Sequence, residues 1–345
     1  DQLPIESRFS AKLVDNLNAE IALGTVTSIP EAVKWISYSY LFVRMKRNPM
    51  AYGIDWSEYD NDRSLVQRRR QLAIQAAKTL QQSQMIIFNE ATEELRSKDI
   101  GRIASQFYIQ HSSVQIFNSM MRPFSTEEDI LKMIAMSGEF DNIQSRNEEA
   151  NELMAMKHDE RFVPYKVGTT IDQPHTKTNI LLQAYISRAQ PQDFALTNDL
   201  NYVAQQAGRI CRALFMIALN RRWGHQCLVL LTMAKSIEKR IWAFQHPFHQ
   251  FDRDLPKPVL NKLDELEALN IESMREMEPA EIGSLVNNHR MGGKIAKLLD
   301  NFPTLSVEAE IAPLNRDVLR IKLYVTPDFR WNDQLHGTSE SYYIW

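Results

Sequence analysis

The sequence predicts a mainly α protein whose β structure is confined to a short ribbon near residue 90 and to the C-terminal end. Three observations carry this. The longest uninterrupted helical pattern is residues 201–224, NYVAQQAGRICRALFMIALNRRWG, where Val203, Ala207, Ile210, Leu214 and Ile217 recur at spacings of four, three, four and three. Near the start, three helical patterns precede two short strand-like runs, the order of a winged helix. After Pro303 the hydrophobic period changes to two, the mark of half-buried strands.

Composition bounds the function classes. The 345 residues suffice for two or three domains with ample core. They are 44% hydrophobic and 24% charged, values ordinary for a soluble globular chain. A net charge of −3 argues against a coat of nucleic acid but leaves room for a local basic lining. Two cysteines in helical apolar context, Cys211 and Cys227, point to a reducing compartment without a disulfide framework. No run of about 18 apolar residues exists, so no membrane span and no membrane partner are expected. The start, DQLPIESRF, lacks the regions of a signal peptide and reads like the interior of a longer chain. The chain ends within a strand-like run, SESYYIW, as an excised piece would.

In order along the chain, residues 10–24 form an amphipathic helix stopping at Gly24. Ser28, Pro30 and Glu31 open a second, predicted to continue through EAVKWISYSYLFVRMKRN to Pro49. A third spans about 64–83, followed by the ribbon in MIIFNEATEELRS and a helix start at DIGRIASQFYI. Helices are then expected over 113–121, 126–137, 145–157, 176–189, 199–223 and 226–242. Thr126 with Glu128 and Asp129 makes a capped start just short of a full capping box. Residues 158–175, with Pro164, Gly168 and Pro174, read as a surface loop. A small helical unit follows: PVLNKLDELEAL, MEPAEIGSLVNN and MGGKIAKLLDNF. Its turn NHRMGGK fits either a phosphate-contacting helical hairpin or a plain tight turn. Last come SVEAEIAP, VLRIKLYVTPDF and SESYYIW, about three strands of an immunoglobulin-like sandwich that needs about seven. The expected domains are a linker and winged helix (1–110), a helical bundle (111–250), a helix-hairpin-helix unit (251–302) and a partial immunoglobulin-like, fibronectin type III-like domain (303–345).

The long helix carries the candidate site. Asp199 is placed to cap it and Gly224 to stop it. Off the apolar stripe, Tyr202, Gln205, Gln206, Arg209 and Arg212 also repeat at three and four, so they share a face. Arginine brings a permanent charge and a planar fork, tyrosine a stacking surface, and glutamine hydrogen bonds that tolerate any base. Such a face could lie along a polymer; an ordinary solvated face has the same spacing. Elsewhere catalytic chemistry is absent. There is no GxxxxGK[ST] phosphate loop, DExH box, GxSxG elbow or HExxH helix. His225 with Cys227, and His246 with His249, form no zinc pattern and read as core or surface residues. The chain is expected to hold no catalytic residue, cofactor or metal of its own.

A set of segments goes further. DNLNAEIALGTV, YLFVRMKRNPMAYGI, GRIASQFYI, NILLQAYISR, YVAQQAGRICRALFMIALNRRWG, KRIWAFQHPFHQF and VTPDFRWNDQLHG resemble the C-terminal half of a helicase cassette. The family is the superfamily 2 RNA helicases with two tandem cassettes, and the resemblance covers essentially the whole chain. NRRWG, KSIEKRIWAFQHP and VRMKRNPMAYGIDW are closer to its cointegrator-complex branch, whose fungal members serve ribosome quality control and antiviral defence, than to its spliceosomal branch. LPIES followed by DNLNAEI resembles the first cassette.

The resemblance implies that 199–223 is the ratchet helix bordering a channel for single-stranded RNA, with Tyr202, Gln205, Gln206, Arg209 and Arg212 facing the strand. It implies two RecA-like motor domains upstream that bind ATP and Mg. It implies as partners mRNA, the ribosome, the chain's own motor domains and second cassette, and accessory subunits of the trigger or cointegrator complex. Translation control in the cytoplasm is the expected setting. Spliceosomal RNA unwinding in the nucleus, or an inactive cassette used for protein docking, remain alternatives.

Overall fold

Short polar side chains cap the starts of several helices in the computed structural model, which describes residues 4–168, 173–267 and 269–345. The chain divides into two compact units, Asp1–Trp242 together with Trp345, and Ala243–Ile344.

The first unit opens with α1 (Leu13–Leu23), ended by Gly24. In α2 (Ile29–Ser37) the Ser28 hydroxyl accepts the Glu31 N–H and proline occupies the first turn. The single helix expected over 31–48 is in fact two. Ser39 accepts the Phe42 N–H at 3.3 Å and starts α3 (Tyr40–Arg47) afresh. A hydroxyl that bonds an N–H three residues on, from extended backbone, is a start signal rather than a helix interior. After α4 (Trp56–Asn61) and α5 (Val66–Gln82), β1 (Ile86–Asn89) pairs antiparallel with β2 (Glu94–Ser97), Ile86 opposite Ser97. The backbone before α2 joins this ribbon: Leu95 N–H donates to Thr27 C=O at 2.8 Å and Ile29 N–H to Glu93 C=O at 2.9 Å. Helices 1, 2 and 5 plus this wing make the winged helix. Helix α6 (Asp99–Phe107) packs on α1 and leads into the bundle.

The bundle comprises α7 (His111–Met120), α8 (Glu127–Ala135), α9 (Ala150–His158), α10 (Pro174–Ile186), α11 (Phe194–Asn220) and α12 (Gly224–Lys239). The capping box of α8 is complete, because Asp129 takes the role usually given to Glu: it accepts the Thr126 N–H at 2.9 Å while Thr126 Oγ1 accepts its own. Residues 159–168 form no helix or strand; 169–172, within the same expected loop, lie outside the described residues. Helix α11, 27 residues and about 40 Å long, packs on α12, α10, α6 and α8. Both of its expected ends move. Asp193, not Asp199, is the cap, accepting the Leu196 N–H at 2.9 Å, and the helix starts five residues before 199. Asp199 lies inside it. At the far end the chain turns at Arg222 in left-handed backbone (φ 60°), and Gly224 begins α12 rather than stopping α11.

In the second unit α13 (Lys257–Glu265), the unexpected short α14 (Ile271–Arg275), α15 (Pro279–Leu285) and α16 (Gly292–Leu299) enclose Phe248, Leu263, Met274, Ile282 and Ile295. Ala268, at the end of the helix expected in PVLNKLDELEAL, lies outside the described residues. A Cβ on Gly292 would fall 1.9 Å from the Pro279 carbonyl oxygen, so α15 and α16 touch backbone to backbone there. Beyond them β3 (Leu305–Pro313) and β4 (Leu319–Pro327) form an antiparallel hairpin, Ile311 opposite Ile321, and α17 (Asp333–His336) follows. The run SESYYIW forms no strand.

Candidate nucleic-acid interface

One side of α11 is sealed. Val203, Ala207, Ile210, Leu214 and Ile217 are all buried, as are Cys211, Phe215 and Ala218 beside them. At 100° per residue the five polar residues fall within an arc of about 120° on the other side. Gln205 is exposed; Tyr202, Gln206, Arg209 and Arg212 are half-buried.

These residues are not a loose polar row. The Tyr202 hydroxyl donates to the Glu139 backbone carbonyl at 2.8 Å, and its ring stands edge-on to Phe140. Arg209 is held on three edges. Its Nη1 donates to the Phe107 and Tyr108 carbonyl oxygens at 2.9 and 2.6 Å, and its Nε and Nη2 to Gln206 Oε1. Arg212 makes a two-pronged ion pair with Glu238 of α12, at 2.8 and 2.9 Å. Gln205 has no hydrogen bond among the described residues.

The two arginines therefore differ in kind. The last carbonyls of α6 lack helical partners, and Arg209 supplies them. Carbonyl and carboxamide oxygens satisfy its donors without cancelling its charge, so a net positive charge stays at the centre of the arc. At Arg212, Glu238 cancels the charge. Arg209 is also held in place by these bonds, the state in which a guanidinium face stacks most readily.

Nearer the start of α11, Lys177 is fully buried and donates to Glu149, to Asp199 Oδ2 at 2.7 Å and to the Gln144 carbonyl at 2.8 Å. Arg146 reaches the same two carboxylates at 3.1 and 2.9 Å. Two cations thus balance two anions, and the Asp199 expected as a cap instead pins α11 to the rest of the bundle. Glu139 does similar work beneath Tyr202: its carboxylate takes the Gln110 N–H at 2.9 Å and the Ser113 hydroxyl.

Sequence reasoning missed Lys177, Glu238 and the 107–108 turn. No local pattern marks them, since each partner lies more than 20 residues away along the chain. The histidines read as ordinary are engaged so: the His246 N–H and the His249 ring both meet Asp264. In the NHRMGGK turn, Lys294 is tied to Asp254, through its carbonyl at 2.7 Å and its carboxylate at 3.3 Å.

Residues 97–345 match the Sec63 Brl domain, and residues 6–90 a winged helix-turn-helix domain. The chain belongs to the Sec63 Brl family. Among curated proteins this Sec63 Brl chain is 48% identical over 343 residues to the RQC trigger complex helicase SLH1 of Saccharomyces cerevisiae, covering 99% of the chain and 17% of that protein. It is 43% identical to activating signal cointegrator 1 complex subunit 3 of Homo sapiens, over 99% of the chain and 15% of the relative. The U5 small nuclear ribonucleoprotein 200 kDa helicase of Homo sapiens is 39% identical, over 99% and 16%. The chain thus spans about one sixth of the length of the relatives it matches.

Proposed function

We propose that this chain is the non-motor half of an ATP-dependent RNA helicase cassette, the first of two, that grips single-stranded RNA along α11 while a RecA motor pulls. Tyr202, Gln205, Gln206, Arg209 and Arg212 form the gripping arc. The supporting observation is Arg209: its edges are fixed by neutral oxygens and its charge is left for a phosphate. Gln205 adds an open carboxamide whose donor and acceptor accept any base, as a translocase requires. ATP and Mg belong to motor domains outside this chain. The one Gly-Lys turn here, Met291 to Lys294, does not fit a nucleotide, because its lysine is already paired with Asp254.

In this reading the winged helix is the hinge between motor and bundle. The immunoglobulin-like part braces the cassette or meets the second one. The higher identity to the trigger-complex helicase (48%) than to the U5 helicase (39%) favours work on mRNA at stalled, collided ribosomes in the cytoplasm over spliceosomal remodelling in the nucleus. Copurification with ribosomes rather than spliceosomal particles, through the complex's accessory subunits, is the expected outcome.

The test is Arg209→Glu in the full-length protein, with RNA-stimulated ATPase and strand displacement as readouts. Both should fall at least about tenfold, since one charge-assisted phosphate contact is lost and a repulsive one installed. Wild-type levels of both would overturn the assignment. Gln205→Glu touches no intramolecular partner and should weaken RNA binding without loss of thermal stability, which separates strand contact from the support Arg209 gives α6.

A further inference from the structure

The turn that Arg209 holds carries a side chain with no role in the fold. Tyr108 caps α6 in left-handed backbone, φ 55° and ψ 44°. Several residues here adopt positive φ, and Tyr108 is the aromatic one among them. The residue is 82% exposed, and among the described residues its ring has no ring or cation partner and its hydroxyl no hydrogen bond. A residue bearing a Cβ is strained in this conformation, and glycine would sit there more easily. The backbone is nevertheless firmly placed. The Tyr108 N–H bonds Ser105 C=O, the Ile109 N–H bonds Ala104 C=O at 2.8 Å, and the Tyr108 C=O is 2.6 Å from Arg209 Nη1. A firmly held turn thus presents a large, bare aromatic residue whose carbonyl is bonded to the one arginine of the arc whose charge is uncompensated.

That combination suits a nucleobase. Aromatic platforms next to cationic groups bind single strands without regard to sequence, because every base has a stacking face. We propose that Tyr108 is a base-stacking residue for single-stranded RNA, and that Arg209 acts on it as a positioning residue by fixing the 107–108 carbonyls. The proposal rests on the reading of α11 as the strand-facing helix. It adds a contact from the α6–α7 junction, 101 residues away in sequence from its support. The strand then meets a flat, rigid surface in addition to the hydrogen-bonding side chains of α11.

The backbone strain gives a test with opposed signs. Tyr108→Gly removes the ring and relieves the left-handed conformation, so the full-length variant should unfold at the same temperature as wild type or higher. Its affinity for single-stranded RNA should fall about 5- to 150-fold, the range of one lost base–aromatic stack. Tyr108→Phe should stay within about twofold of wild type. On an RNA made abasic throughout its binding site, Tyr108→Gly should cost nothing further. An equal loss on abasic and ordinary RNA would overturn stacking in favour of a contact to the motor domains. Unchanged affinity of Tyr108→Gly while Gln205→Glu weakens binding would overturn this proposal alone. Unchanged affinity in both would overturn the strand-facing reading of α11 as well.

Discussion

The outer face of α5 and the polar arc of α11 have nearly the same composition and opposite electrostatics. On α5, Gln67, Arg70, Gln71, Ile74, Gln75 and Lys78 line a shallow groove. Both cations there are met by carboxylates of the wing's turn: Arg70 by Glu93, with Nη1 3.0 Å from Oε2, and Lys78 by Glu90 at 3.3 Å. On α11 the central cation, Arg209, is met by backbone and carboxamide oxygens. Two glutamine- and arginine-bearing helix faces are thus separated by the nature of the acceptor. A carboxylate removes charge from a surface; a carbonyl holds a guanidinium in place and leaves the charge where it was. The winged helix has the form of a nucleic-acid reader and a neutralised reading face. The bundle helix has retained its charge.

Lys177→Met should leave the buried Glu149 and its neighbour Asp199 to share Arg146 as their one cation, costing about 3 kcal/mol in denaturant unfolding; a loss below about 1 kcal/mol would show the cluster to be solvated. Glu238→Gln removes the carboxylate that cancels Arg212. Freeing the charge of Arg212 should raise affinity for single-stranded RNA a few-fold and steepen the log–log salt dependence by about 0.7, the increment of one phosphate contact. No change in slope would mean that Arg212 faces away from the strand. On the other helix, Arg70→Gln should leave RNA affinity within about twofold and cost under about 1 kcal/mol, as for an exposed pair; a marked loss of affinity would restore α5 as a reading helix.

The smallest effect concerns the anchor of the winged helix. The Glu6 carboxylate is held down to about 2, first by its hydrogen bonds from Arg44, then by those from Tyr52 and Asn48. A depressed carboxylate stabilises the folded state fully above its ordinary value of 4.5. That contribution is lost as pH falls from there toward 2. Glu6→Gln should therefore lower the melting temperature slightly at neutral pH and flatten its fall across that window, so that variant and wild type converge near pH 2.

Much of this was legible in the residues. The apolar spacing of 203, 207, 210, 214 and 217 marked the organising helix, and Ser28–Pro30–Glu31 marked α2, because both are local signals. The ends of α11 were misplaced for the same reason. Asp193 and Asp199 are equally good caps on local grounds, and only the burial of Lys177, contributed by another helix, assigns Asp199 to an ion pair. Ser39 was missed as a cap because the apolar spacing runs on through it. The five polar positions were grouped correctly as one face, but their partners Glu238, Glu139 and the 107–108 carbonyls come from tertiary packing. The distinction between a cancelled and an uncancelled arginine therefore had no sequence signal at all.

The grip of Arg209 on the end of α6 has a mechanical side. Helix α6 packs on α1 of the winged helix and on α11 of the bundle, and the guanidinium ties α11 to its last carbonyls. A side chain so placed works as a tie rod between two frames. Any axial load on α11 passes through the two hydrogen bonds to the Phe107 and Tyr108 carbonyls into the end of α6, and from there into α1 of the winged helix. The bundle cannot creep under load without either breaking that link or moving its neighbour.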